Sequence, residues 1–360
     1  MNAPHAQTHV VERHRLALLM TLLSFGAAVL PSCAADPPPE IPGKAIGPRI
    51  LTRRGVSLAG AEFGNAIPGT LGTDYFYPTH DEVDYYASKG MTEMRIPFRW
   101  ERLQPTVGEA FDEAEGARLD DLVAYSLGKG VGVLLDPHNY AQYNGSVLGS
   151  GVTAASFADF WSRLATRYAG MPTIDFGLMN EPHDMNTEDW VASANAAIQA
   201  IRATGANNLI TVSGNGWDKA SDWYQTWYGS ANAKALLDIV DPMDNLAFEA
   251  HMYFDGDGSG KDRDCVNEDV GVQRLTKFTG WLRTNKKRGF LGEFATGTSA
   301  TCLTALGNVL NFVQTYSDVY MGWAWWGAGP RWGNYMFTLE PDGTGGDRPQ
   351  MAVLAADLAR

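Results

Sequence analysis

Leu178-Met179-Asn180-Glu181-Pro182 runs apolar and then stops on a glutamate, and Leu291-Gly292-Glu293-Phe294-Ala295 does the same further along the chain. Each reads as a buried β-strand with a carboxylate at its end, a costly placement unless something uses the charge. Around these two, apolar runs of strand length alternate with amphipathic stretches of helical period. The strand candidates are 54–60, 91–98, 131–138, 173–181, 209–215, 246–253, 288–294 and 319–326. Gly90, Gly130, Gly170 and Gly205 each precede a strand by a few residues, as helix-closing glycines do. Eight β/α repeats predict an α/β fold, a single (β/α)8 TIM barrel. An open doubly wound sheet would need a glycine-rich phosphate loop after the first strand. Gly60-Ala61-Glu62-Phe63-Gly64 has the wrong spacing for one, and Glu62 would repel phosphate.

The flanking chain bounds the compartment. Of 360 residues, 45% are hydrophobic and 19% charged, a globular balance, and the net charge is −13. Such an acidic chain disfavours nucleic acid and anionic membranes as partners and suits a neutral substrate. Arg13 and Arg15 precede an apolar run from Leu16 to Leu30, and small residues follow at Ser32-Cys33-Ala34-Ala35. Residues 1–35 therefore read as a signal peptide, and 36–48, with Pro37-Pro38-Pro39, as a stiff linker. Residues 49–360 form the barrel domain, expected to be a monomer that is secreted or periplasmic and has no transmembrane segment after cleavage. A single membrane anchor competes with this reading, and the shortness of the apolar run counts against it. Leu30-Pro31-Ser32-Cys33 resembles a lipobox with an ill-fitting proline, so a lipid anchor at Cys33 is a third reading. The remaining cysteines, Cys265 and Cys302, are either a disulfide or two free thiols, and export favours the disulfide.

A barrel places its chemistry at the C-terminal ends of the strands. There the second strand carries Arg95 and the third ends at Asp136-Pro137-His138-Asn139. The fourth ends at Asn180-Glu181, the sixth at His251-Met252-Tyr253, the seventh at Glu293 and the eighth at Trp325-Trp326. Paired carboxylates in one cleft are the machinery of glycoside hydrolysis. An arginine or a tyrosine hydroxyl keeps a nucleophilic carboxylate ionised, an asparagine can bind a ring hydroxyl, and an exposed indole carries a sugar ring. Side-chain alternation turns Trp323 and Trp325 toward helices and Trp326 into the barrel mouth. Of the histidines beyond the leader, His138, His183 and His251 fall at strand ends, while His80 is placed in a loop.

These motifs resemble glycoside hydrolase family 5, the cellulase-type clan of retaining TIM-barrel enzymes. The likeness spans Arg54-Gly55-Val56-Ser57-Leu58-Ala59-Gly60-Ala61-Glu62-Phe63-Gly64, Met94-Arg95-Ile96-Pro97-Phe98-Arg99-Trp100-Glu101, Asp136-Pro137-His138-Asn139-Tyr140, Asn180-Glu181-Pro182, His251-Met252-Tyr253, Gly292-Glu293-Phe294 and Trp326-Gly327-Ala328-Gly329-Pro330. The wording is similar to the endo-β-1,4-glucanase subfamily shared by bacteria and fungi. The resemblance implies Glu181 as general acid/base and Glu293 as nucleophile, with Arg95 and Tyr253 orienting Glu293. It also implies that Asn180, His138 and His251 build the subsite of cleavage and that Trp326 stacks under its sugar. It implies a β-glucan substrate, no cofactor and no metal, and a Cys265–Cys302 disulfide. Ser57 stands where asparagine is expected, and Arg331 where a further tryptophan is common.

A β-mannanase or mixed-linkage glucanase would share this constellation, since specificity lives in loop contacts. A carbohydrate-binding barrel that has lost catalysis is the reading from another class, and intact Glu181 and Glu293 argue against it.

Overall fold

The structure, a computed structural model, describes residues 41–42 and 50–360. The expected leader, Cys33 and all of the expected linker except Ile41 and Pro42 lie outside the described residues. Eight parallel strands close into a barrel: β1 (Arg53–Leu58), β2 (Glu93–Phe98), β3 (Gly132–Pro137), β4 (Ile174–Gly177), β5 (Ile210–Ser213), β6 (Leu246–Tyr253), β7 (Gly289–Ala295) and β8 (Tyr320–Ala328). Each pairs with its neighbours in chain order, and β8 returns to β1. All eight strand readings land on these strands. The fourth and fifth are shorter than expected, at four residues each, and the fourth ends where the regular ladder stops at Gly177. Leu178 N–H still donates to the Thr211 carbonyl at 3.0 Å, and Asn180 N–H to the Pro137 carbonyl at 3.0 Å.

Helices cover the barrel. His80–Ser88, Glu113–Gly128, Ala154–Arg167, Thr187–Ala203, Val270–Thr284, Ala300–Thr315 and Pro349–Leu358 follow β1, β2, β3, β4, β6, β7 and β8. After β5, shorter turns, Ala220–Asp222, Asn232–Ala235 and Leu236–Asp238, take the helix's place. Local sequence sets their starts: Asp112, Thr153 and Ser299 each accept from a backbone N–H three residues on, satisfying a donor the first turn leaves open. Gly90, Gly130, Gly170 and Gly205 all have positive φ, which a side chain would resist. His80 is not in a loop. It opens its helix, pairs with Asp121 at 3.0 Å and stacks on Tyr125, away from the strand-end cluster.

Buried indoles lock the helices onto the strand ends. Trp161 donates to Leu178 O at 3.1 Å and Trp190 to Ser213 O at 2.8 Å, each from a helix to the exit of the following strand. Trp323 faces the last helix and donates to Asp357, and Trp325 donates to Phe337 O, so both point away from the mouth. A fully buried Trp brings a large apolar area and one N–H that needs a partner, so these bonds set the helix height against the sheet. Cys265 and Cys302 form a disulfide, with Cα atoms 5.4 Å apart, that ties the loop after β6 to the first turn of Ala300–Thr315. Among the described residues no helix is long and apolar enough to cross a membrane.

Candidate active site

The barrel's parallel register brings the strand-end residues level. Ser57 pairs with Arg95, Pro97 with Asp136, Ser213 with Glu249, and His251 with Glu293. On β6, Glu249, His251 and Tyr253 are alternate residues and share one face.

Arg95 is the hub. It is wholly buried, and its Nη2 donates to Asn180 Oδ1 at 2.7 Å and lies 3.0 Å from Asp136 and 3.6 Å from Glu249. Its Nη1 faces Ser57 Oγ at 3.4 Å and Glu293 Oε2 at 3.5 Å. Burial pulls its pKa down, but Asp136, Glu249 and Glu293 push it up further, so the guanidinium stays charged. In return Arg95 and His138 outweigh burial at Asp136 and hold that carboxyl below its ordinary range.

His138 lies between two partners that choose its tautomer. Nδ1 is 2.8 Å from the Asp136 carboxylate and so donates, while Nε2 accepts from the Asn180 amide at 3.1 Å. Trp326 stacks on this imidazole, with centroids 5.2 Å apart, and Trp332 meets Trp326 edge-on. Tyr335 stacks on Trp332 in turn. Arg331 lies over the Phe76 ring at 4.4 Å, a cation–π contact that holds its side chain against another loop.

The two glutamates sit in different surroundings. Glu293 is buried, accepts from the Tyr253 hydroxyl on Oε1 and faces Arg95 on Oε2. Burial, and then the charge of Glu181, raise its pKa, opposed by His251 and Arg95. Glu181 is partly exposed, has a positive φ of 43°, and receives His251 Nδ1 on Oε1 at 2.8 Å. Left-handed backbone on a long side chain is strained and is found where a fold over-determines a position. Glu181, His251 and Glu293 each place one donor atom within 4.8 Å of the others. A cavity of about 840 Å³ opens beside Glu181, with Tyr140, His183 and Trp217 on its wall. His183 stacks on Trp217 at 4.2 Å and contacts the Glu181 carbonyl through Nδ1.

Arg95, His138, Asn180, Glu181, His251, Tyr253, Glu293 and Trp326 therefore meet in one cluster. Glu249 and Asp218, buried behind His251, Trp217 on the cavity wall and Trp332 against Trp326 were not anticipated. Glu249 had a signal, since it precedes His251 by two and Tyr253 by four inside an apolar strand. Asp218 had none, because a loop of two left-handed residues, Trp217 and Asp218, brings it under the histidine.

The comparisons with known proteins agree with this geometry. The family model described as Cellulase (glycosyl hydrolase family 5) matches residues 54–329. Endo-beta-1,4-glucanase B of Aspergillus niger is 41% identical over 293 residues, covering 81% of this chain and 86% of that protein. Endo-beta-1,4-glucanase A of Emericella nidulans is 40% identical over 298 residues, covering 81% and 87%. Among solved structures, the endo-beta-1,4-glucanase Xac0029 from Xanthomonas axonopodis pv. citri superposes with a TM-score of 0.84 at 46% identity, over 86% of this chain and 98% of that one. XacCel5A in complex with cellopentaose has the same TM-score at 44% identity, over 85% and 99%. With a closed eight-stranded parallel barrel, a paired-carboxylate cleft and a family match across most of its length, the chain belongs to glycosyl hydrolase family 5, the cellulases.

Proposed function

We propose that this glycoside hydrolase is a retaining endo-β-1,4-glucanase with Glu181 as general acid/base and Glu293 as nucleophile. The observation that carries this is the approach of the two carboxyls, one oxygen of each within 4.8 Å of the other. Retaining enzymes hold their carboxyls about 5–5.5 Å apart, whereas inverting ones leave about 6.5–9.5 Å for a water. The surroundings support the division of labour. Tyr253 and Arg95 both address Glu293, and neither is paired with Glu181. Burial and the neighbouring Glu181 charge push Glu293 up, and His251 and Arg95 oppose them from the nucleophile's side. Glu181, partly exposed beside the open cavity, is the one that can meet a leaving group or a water.

In the first step a Glu293 oxygen bonds to the anomeric carbon while the bond to the leaving 4-oxygen breaks and takes the Glu181 proton. In the second, Glu181 removes a proton from water, whose oxygen displaces Glu293 and restores both carboxyls. Trp326 over His138 provides a flat face for the sugar at the cleavage point. The substrate reading rests on the relatives named endo-beta-1,4-glucanase and on cellopentaose in XacCel5A. Export is proposed with it, since a disulfide persists in an oxidising compartment.

Reducing-sugar release from carboxymethyl cellulose and from a β-mannan, by the native chain and by Glu293→Gln, tests the reading. Cleavage of the cellulose derivative by the native chain and its near-complete loss in the variant are expected. Preference for mannan would overturn the substrate, and full activity in Glu293→Gln would overturn the mechanism.

A further inference from the structure

We propose that Glu249 is a positioning residue for the acid/base step: its carboxylate fixes a hydrogen on His251 Nε2, so that Nδ1 is the ring atom that exchanges a proton with Glu181. This rests on the assignment of Glu181 as acid/base.

His251 is buried and uses both ring nitrogens. Nδ1 faces Glu181 Oε1 at 2.8 Å, and Nε2 faces Glu249 Oε1 at 3.2 Å. A carboxylate has no hydrogen to give, so Nε2 must carry one. Glu249 is itself clamped. Thr211 on β5 donates to its Oε2 at 2.6 Å, and Arg95 Nη2 lies 3.6 Å from Oε1. The side chain passes directly over Gly292, which has no Cβ to block it.

The groups facing His251 come from several elements. Glu249 is on its own strand, Glu181 follows β4, Glu293 is on β7 and Asp218 follows β5, with its Oδ2 at 3.6 Å from Nε2. Burial pulls the imidazole pKa down, and these acids together raise it well above its ordinary value. Asp218 differs from Glu249. Its Oδ2 is buried without a hydrogen-bond partner, 3.6 Å from Nε2, and burial pushes its carboxyl well above the usual range. Glu249 is therefore the carboxyl within hydrogen-bond distance of Nε2, and Asp218 lies beside it beyond that distance. The competing role for Glu249 is that of a structural counter-ion to Arg95. That role would act through Glu293 and would not depend on the leaving group.

Two substrates separate these roles. Cellopentaose has a sugar leaving group that needs a proton from Glu181. The leaving group of 2,4-dinitrophenyl β-cellobioside departs without one. Glu249→Gln is expected to lose about 100-fold in kcat/KM on cellopentaose and less than about 5-fold on the aryl glycoside, because only the first requires general-acid catalysis. The basic limb of its cellopentaose pH profile moves to lower pH, since removing the Glu249 carboxylate weakens the hold of His251 on its proton. Asp218→Asn stays within about 3-fold on both substrates, since its Oδ2 makes no hydrogen bond to the ring. Equal losses on both substrates with an unmoved pH profile, or no loss at all, would overturn the proposal. Glu181→Gln on the same two substrates guards the premise: if it shows no leaving-group dependence, the acid/base assignment has failed and Glu249 is not at issue. A measurement on the native chain is independent of any variant's folding. In 15N-histidine NMR, His251 is expected to keep its hydrogen on Nε2 and to titrate at Nδ1, and loss of the Nε2 hydrogen first would refute the proposal.

Discussion

A Cβ on Gly292 would lie 2.0 Å from Oε1 of Glu249. The pairing of β6 with β7 shifts register at this point, from Ala250 opposite Leu291 to His251 opposite Glu293, so Gly292 is the residue the bulge skips. Gly292→Ala must therefore move either Glu249 or the backbone that carries Glu293. Overpacking of this kind costs about 1–3 kcal/mol. The expected result is a lower urea midpoint together with a fall in kcat on carboxymethyl cellulose. A variant with native stability and native kcat would show that the strand shifts freely here.

Tyr253 makes its hydroxyl contact with the Glu293 carboxylate from inside the barrel, where burial and the neighbouring charge raise the phenol well above its ordinary pKa and keep it a donor. Tyr253→Phe deletes this donor and keeps the ring. By analogy with the loss of one preorganised donor to a reacting oxygen, kcat should fall about 100-fold with KM little changed. Steady-state kinetics on cellopentaose decides this, and a rise in KM alone would make Tyr253 a binding residue.

Trp326 and Trp332 form a perpendicular pair, with centroids 5.6 Å apart, beside His138. Trp326→Ala removes the flat face and also the neighbour against which Trp332 rests. Aromatic stacking worth about 1 kcal/mol or more should then be lost, seen mainly as a raised KM of about 5–10-fold. Trp332→Ala should give a smaller change of the same kind, and an unchanged KM in both would place the sugar elsewhere.

Glu62 gives a pH test of stability. Burial raises its carboxyl to about 7 from a usual value of 4.5, partly offset by His138. The folded chain thus binds this proton more tightly than the unfolded one. The resulting stability is fully present below pH 4.5 and is lost as pH rises through about 7. The size is roughly 3–4 kcal/mol at most, at about 1.4 kcal/mol per unit. Urea midpoints should be lower at pH 8 than at pH 5, and Glu62→Gln should narrow the difference. An unchanged difference would mean that Glu62 does not titrate in this range.

The Cys265–Cys302 bond joins positions 37 apart in the chain. Closing such a loop in the unfolded state is worth about 2–4 kcal/mol. Cys302→Ser, or reduction of the native chain, should lower the urea midpoint accordingly while leaving KM intact, because neither cysteine touches the strand-end cluster around Arg95. Unchanged stability would argue that the reduced form relaxes without loss.

The sequence by itself determined the barrel and most of the site. Strand-length apolar runs separated by amphipathic stretches have few packing solutions, and eight of them specify a closed sheet. Because a parallel barrel levels its strand ends, Arg95, His138, Asn180, Glu181, His251, Tyr253, Glu293 and Trp326 could be gathered by their place in each strand. What lay outside this rule was decided only by tertiary structure. Asp218 and Trp217 come from a loop whose left-handed turns no periodicity announces. Glu249 shares a strand face with His251 by alternation, but the place of its carboxylate over Gly292, where the β6–β7 register shifts, is a matter of backbone spacing between strands. Periodicity is a local property of the chain and can be read residue by residue. Register shifts, loop turns and the sharing of one buried charge among several acids depend on distances that exist only after the strands have closed.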